Sequence, residues 1–422
     1  MTIRNGIKIN KKVIKLVGEV KTMKNPIIRD CFEKGKGVLQ LKPTWVPRSF
    51  GQPGFRLRLH PDDYFAFGMN RGAICERWLG SVTVALNGPE TREDEGMSYA
   101  LADPDTNEVF LLKDAIEELG ADIIGDELKE KYGTWPTFSK FFDYSTPLFH
   151  HLHLEESKAN LIGRHGKPEA YYFPTQLNNT LGRFPVTYFG FDPDTDPEDV
   201  KDCIRNYDEF DTRITELSRA YRIKLGTGWY TPAGVIHAPG SVLTYEPQWN
   251  SDVNTIMENV TMGEVNGHNL LTDCCPEDKK DDVDYLFSQI DCEQSTEVHY
   301  KEKYFREPKE ILTAQKGLVE KWVAYANEFV AAKEVTVAPG AKIVLKDEAC
   351  YCAVLTQGHG KFGEYDCEVA GMLRYGQASG DEFFVSEKAA KAGIVIENKS
   401  KYENLVVLQN FANNNPAVPK IK

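Results

Sequence analysis

The chain has 422 residues, 41% of them hydrophobic and 27% charged, with a formal net charge of −13. That length predicts two or three units around separate cores, and no apolar run reaches membrane-spanning length. The excess of acid argues against nucleic-acid binding, which needs a basic footprint, but leaves room for an anionic small molecule in a locally positive pocket.

In chain order, residues 1–36 read as an N-terminal extension. Its opening, "MTIRNGIKINKKVIKLVGEVKTMK", is basic but has neither a continuous apolar core nor a small-residue cleavage site, so it does not read as a signal peptide. Residues 37–264 form the expected first unit. From "GVLQLKPTWVPRSF" onward, short β-prone runs alternate with Pro and Gly punctuation. "LLKDAIEELGADIIGDELKEKYG" (111–133) differs: its apolar residues recur at helical spacing, with Gly120 separating two helices. "TFSKFFDYSTPLFHHLHL" returns to strand character, and "PVTYFGF" is a further strand. The Asp/Pro-rich "DPDTDPEDV" opens a helical excursion expected to run from 192 to about Tyr221. After it, "IKLGTGWYTPAGVIHAPGSVLTYEPQWN" is β again. Residues 265–330 read as an acidic, loop-rich connector with a helical stretch near "LVEKWVAYANEFVAA". Residues 331–422 are alternating strands with almost no helix, a separate all-β unit. The nine cysteines include no CxxC pair and read as reduced thiols of a cytoplasmic protein.

Three of the nine histidines fall within four positions of "TPLFHHLHLEE", 146–156. Strand side chains alternate faces, so His151 and His153 share one face and His150 takes the other. Downstream, "GTGWYTPAGVIH" spaces Gly226, Pro232, Gly234 and His237 as G(x)5PxGxxH, which resembles the second motif of the cupin β-barrels. In that fold an HxH on one strand, a Glu on the next and this last His converge on one divalent cation. Between the two motifs, "GKPEAYYF" supplies Glu169. The resemblance therefore implies four metal ligands: His151, His153, Glu169 and His237. Imidazoles with one carboxylate suit zinc first, and also Fe, Ni or Mn, with positions left open for substrate oxygens. His150 is expected to pack or pair on the other face, and His165 to lie at the surface or behind the ligands.

Over most of residues 60–415 the chain resembles the class I mannose-6-phosphate isomerases (the phosphomannose isomerase-like family of the cupin superfamily). "TFSKFFDYSTPLFHHLHLEE" is similar to that family's "LFKxLxxxxxLSxQVHPxD", "GKPE" to its KPE strand, and "PAGVIHAPGSVLTYEPQWNSD" to its "PAGTIHAIGxGxxxxEIQQSSD". "ERWLGS" (76–81) is like its "ELWLGAH". The resemblance implies a mainly β bicupin, two jelly-roll barrels with helical insertions, and a metal-dependent aldose–ketose isomerase working through an enediolate. It implies Lys167 and Glu246 as acid–base groups, with Gln248, Asp252, Trp229 and Arg164 toward the substrate. Tyr230, Tyr171, Tyr172 and Trp249 are further rings available to a sugar. Two departures stand out. His151 replaces the family's Gln, and Ile256 replaces an Arg that binds oxygens in pairs, which Ile cannot do. An unphosphorylated aldose or another hexose phosphate is therefore expected, with Arg164, Lys167, Arg56 and Arg58 as candidate replacement cations. In the C-terminal unit no HxH occurs; Cys350 and Cys352 read as buried core and His359 as a hairpin residue. The alternatives are a non-catalytic carbohydrate-binding or regulatory cupin, and a cupin dioxygenase. The expected partner is a small sugar or sugar phosphate, without nucleic acid or membrane; the oligomeric state is not legible.

Overall fold

The computed structural model describes residues 26–103, 107–178 and 184–420. Residues 1–25 of the expected extension lie outside the described residues. The fold is mainly β and built from several antiparallel sheets. In the first half a seven-stranded and a five-stranded sheet pack together over an aromatic core that includes Phe142, Tyr171, Phe173, Phe189 and Trp229. In the second half a nine-stranded and a four-stranded sheet enclose Trp322, Tyr351, Phe383 and Phe411. A third core joins the halves, where the other faces of the two large sheets meet and the helices Leu112–Leu119 and Ala121–Tyr132 add Ile116, Ile123 and Leu128.

This layering explains why the strands that carry the chemistry are apolar on both faces. In Glu169–Tyr172, Ala170 and Tyr172 enter the joining core while Tyr171 enters the aromatic core. A period of two then turns Glu169 inward with Tyr171. In Thr244–Trp249, Tyr245 enters the joining core, so Glu246 and Gln248 face inward. Register completes the arrangement: Glu246 lies opposite Lys140, and Gln248 opposite Glu169.

The break at Gly120, with φ of 52°, separates two helices as the apolar spacing predicts. Three other expectations need correction. The stretch "LVEKWVAYANEFVAA" is not helical: Leu318–Ala324 and Ala331–Val337 are paired strands. Leu318, Trp322, Ala331 and Val335 all enter the same core at strand spacing, and that burial overrides the helix-forming Glu, Lys and Ala between them. The helical excursion also stops early. Pro197–Arg205 is helix, but Ser218–Arg222 is a strand on Val186–Phe191. Lastly, the strands of the expected 37–264 unit do not all stay within its own sheets. Val38–Lys42, Tyr99–Asp103 and Glu108–Leu111 extend the nine-stranded sheet of the second half, with Val38 opposite Val385. Among the described residues no helix is long and apolar enough to cross a membrane, and all nine cysteines are free thiols.

Candidate metal centre

His151 and His237 are direct cross-strand partners in the five-stranded sheet, so their rings leave the sheet on the same side. His153 follows two residues on, and Glu169 approaches from the seven-stranded sheet. The turn before His237 needs Gly234, which adopts a φ of +83° and donates its N–H to the His153 carbonyl at 2.7 Å. One nitrogen from each of the three imidazoles lies within 4.8 Å of the other two, and all three rings are buried.

The tautomers follow from the backbone. The Nδ1 of His151 lies 3.0 Å from the Phe149 carbonyl, that of His153 2.8 Å from the Val253 carbonyl, and that of His237 2.8 Å from the Val235 carbonyl. A carbonyl only accepts, so each Nδ1 carries the proton and each Nε2 presents a bare lone pair. Those lone pairs meet a carboxylate. Glu169 places Oε2 2.9 Å from His153 Nε2 and Oε1 3.2 Å from His237 Nε2. His237 Nε2 and Glu169 Oε1 are both buried without a hydrogen bond. Acceptors held this close repel unless a cation lies among them, and one already does so in part. Lys167 donates from Nζ to Glu169 Oε2 at 2.6 Å and to His153 Nε2 at 2.8 Å. The donor set and its fixed tautomers fit a divalent cation.

Burial, and then the neighbouring rings His237 and His153, hold the His151 pKa well below the ordinary imidazole value. Burial followed by the Lys167 ammonium lowers His153 to about 4. Burial alone would raise Glu169, but Lys167 and His153 hold its carboxyl well below the usual range. Neutral imidazoles beside an ionised carboxylate are the protonation states a metal requires.

Behind the ligands runs a charged layer. Lys167 Nζ lies 3.3 Å and Lys140 Nζ 3.2 Å from Glu246 Oε1. Glu246 is buried, and that desolvation together with the Glu169 charge pushes its pKa up to about 8 against the pull of Lys140 and Lys167. Arg48 grips Asp252 with both Nη atoms, at 3.1 and 3.0 Å, and donates to Glu76 at 3.0 Å and Asn87 at 2.9 Å. Glu76 also accepts from Trp78 Nε1 and the Tyr144 hydroxyl. These groups line a cavity of about 30 Å³ beside the imidazoles.

Of the residues expected at the site, His151, His153, Lys167, Glu246 and Asp252 line this cavity, with Tyr171 in its wall; Glu169 and His237 sit against it through the contacts above. Gln248 is buried opposite Glu169, donating to the Ser251 carbonyl at 2.6 Å. Trp229 is not in the cavity wall. It packs in the aromatic core against Phe189 and Tyr221, opposite Tyr171 on the neighbouring strand. Arg164 is exposed in the turn that precedes Gly166. Arg56 is taken by Asp143 at 2.8 Å, and Arg58 reaches carbonyls of the second half. Of the four nominated cations only Lys167 enters the site. Tyr172 bonds Glu334 in the joining core. Trp249 and Tyr230 line a larger cleft of about 1110 Å³ that shares no lining residue with the metal cavity. His150 pairs with Glu258 at 2.9 Å, turned from the other three rings, and His165 is exposed beside Glu156.

Arg48 and Lys140 were missed as site residues, and each leaves a signal. Lys140 is the one charge in the strand "TFSKFF", on the face it shares with Phe138 and Phe142. Arg48 ends an otherwise apolar strand, "TWVPR". Sequence spacing cannot show that the strands 44–48 and 137–142 turn these cations toward the histidines.

No protein-family model matches the chain, and no curated protein matches it in sequence. Solved structures do match in fold. The mannose 6-phosphate isomerase from Bacillus subtilis superposes with a TM-score of 0.55 at 17% identity, over 89% of this chain and 99% of that one. A histidine-to-glutamine variant of phosphomannose isomerase from Salmonella typhimurium gives 0.59 at 10% identity, over 89% and 100%. A mannose 6-phosphate isomerase bound with zinc and yttrium gives 0.56 at 11%, over 88% and 99%. The chain therefore has the fold of the phosphomannose isomerases over nearly the full length of each, with little sequence in common.

Proposed function

We propose that the protein is a metal-dependent aldose–ketose isomerase of the mannose-6-phosphate isomerase type. The two packed sheet pairs are then two cupin barrels, the first built from 37–264 and carrying the metal, the second built around 331–422 and degenerate, with strands from 37–264 and from the 265–330 connector completing its nine-stranded sheet. The observation that carries this reading is the convergence of three buried imidazoles with fixed tautomers, one nitrogen of each within 4.8 Å of the others, with the Nε2 lone pairs of His153 and His237 set against the Glu169 carboxylate. His151, His153, Glu169 and His237 would hold one divalent cation, zinc before iron, nickel or manganese. The zinc-bound isomerase that shares the fold supports that order. When bound, the cation would polarise a carbonyl and the hydroxyl on the adjacent carbon, and so acidify the C–H of that hydroxyl-bearing carbon.

The chain's own residues supply the proton handling. Glu246 lies between two ammonium groups, and a carboxyl with a pKa near 8 both gives and takes a proton at neutral pH. Lys167, bonded to Glu169 and His153 and 3.3 Å from Glu246, would stabilise negative charge developing on the sugar oxygens nearby. Asp252 orients Arg48, and Gln248 braces the Ser251 turn beside it. Burial in a water-poor site strengthens each of these interactions. We place the protein in the cytoplasm, a reading supported by its free thiols.

The test is a panel of aldoses, ketoses and their 6-phosphates, followed by NMR with and without chelator, for the natural chain and His237→Ala. Isomerisation lost with chelator and with the substitution is expected. Metal bound with no sugar converted would overturn the reading.

A further inference from the structure

We infer that the substrate is an uncharged sugar that reaches the metal cavity through an outer vestibule, past a partition of Phe50, Leu148 and Phe149. The inference rests on the isomerase reading and adds the route and the charge of what is converted.

The metal cavity, at about 30 Å³, holds a water or two, whereas ligand sites are typically about 300 Å³ and larger. A sugar cannot enter it without displacing part of its wall. Next to it lies a second hollow of about 260 Å³, and Phe50, Leu148 and Phe149 line both. These three side chains are therefore the wall between the two spaces. The Phe50 and Phe149 rings meet edge-on at 4.7 Å, Phe149 in turn packs on His151 at 5.5 Å, and the Arg48 guanidinium lies 5.8 Å from the Phe50 ring. Phe149 is fixed in the core, but Phe50 is part-exposed on a segment pinned beyond it by the Gln52 carbonyl to Ser145 and the Gly54 N–H to Asp143. Gly51, with φ of +75°, turns the chain between the strand end at Arg48 and those anchors. Phe50, part-exposed like Leu148 and carried on the turn before those anchors, is thus placed to swing. Across the hollow stands the hairpin Val260–Thr261 and Glu264–Val265, with Met262 and Val265 exposed.

The polar groups of the hollow select the occupant. Ser49, Gln52, Thr146 and Asn266 offer hydroxyls and amides, and Glu264 adds a carboxylate; among the described residues none of its lining is Lys, Arg or His. A phosphate dianion there meets a like charge and no cation. Further in, the cations are already engaged: Arg48 by Asp252, Glu76 and Asn87, Lys140 by Glu246, and Lys167 by Glu169. A dianion would have to displace buried carboxylates, a costly exchange. A neutral hydroxyl needs only single donors, and Arg48 keeps one, a buried Nε without a partner.

The test uses the full chain loaded with zinc and follows transfer of the zinc to a chelator. Phe50→Ala should speed that transfer by roughly ten-fold through the opened partition, while Trp249→Ala in the separate cleft leaves it unchanged. Equal rates for Phe50→Ala and the natural chain, or an equal acceleration in both variants, overturn the route. D-mannose should slow zinc transfer from the natural chain at concentrations at which mannose 6-phosphate does not. Protection by the phosphate in preference, or by neither sugar, overturns the inference. Conversion of the same sugars is read separately by NMR: protection by mannose without turnover keeps the inference about the ligand and removes the isomerase, and preferred turnover of the phosphate does the reverse.

Discussion

Phe149, Val253 and Val235 each offer a carbonyl to an imidazole, and through it fix which nitrogen is bare. Burial also holds the His151 and His153 pKa values below the ordinary imidazole value, which gives a pH dependence with a definite sign. The His153 pKa is depressed to about 4 in the folded chain against about 6.5 unfolded. The unfolded state therefore takes up its proton first as pH falls, and the contribution to stability present above 6.5 is lost down to about 4. For the metal-stripped protein, urea midpoints should fall across that window, with His153 alone contributing about 3 kcal/mol. His153→Gln should flatten the profile; an unchanged slope would remove the buried-neutral assignment. At this scale the grouping of His151, His153 and His237 was legible because HxH and PxGxxH are local patterns. Arg48 and Lys140 were not, because only tertiary packing shows which inward-facing charge meets which.

At the scale of elements, strand alternation carried most of the information. It separated His150 from its neighbours and turned Glu169, Glu246 and Lys140 to one side. Alternation failed where helix-forming residues masked it, as in Leu318–Ala324, and where a turn cut a helix short after Arg205. The turn that delivers His237 depends on one glycine. A Cβ on Gly234 would lie 3.1 Å from that of Asp291, at a φ that side chains rarely adopt. Gly234→Ala should cost about 1–3 kcal/mol in urea denaturation and weaken zinc binding, since the His153 carbonyl loses its place opposite residue 234. A variant as stable as the natural chain would show that the turn tolerates a side chain.

The whole molecule is held together by the core between its two large sheets, and a buried arginine paired with two carboxylates crosses it. Arg77 meets Asp381 with two bonds of 2.9 and 2.7 Å and Glu382 with one of 3.1 Å, all buried. Arg77→Ala strands two carboxylates and should cost about 3–5 kcal/mol, much of it recovered when Asp381 and Glu382 are neutralised as well. Additive effects in that cycle would deny the coupling between the halves. The mainly β character could be read from the sequence, but not that three strands of the first half complete the sheet of the second, since pairing over such separations leaves no local pattern. The metal centre lies within the first half alone, so its loading is the most direct measure of the account. Metal analysis of the zinc-reconstituted chain should find one divalent cation per molecule, and none in Glu169→Gln or His237→Ala that remain folded. Equal metal in those variants, or none in the natural chain, would contradict it.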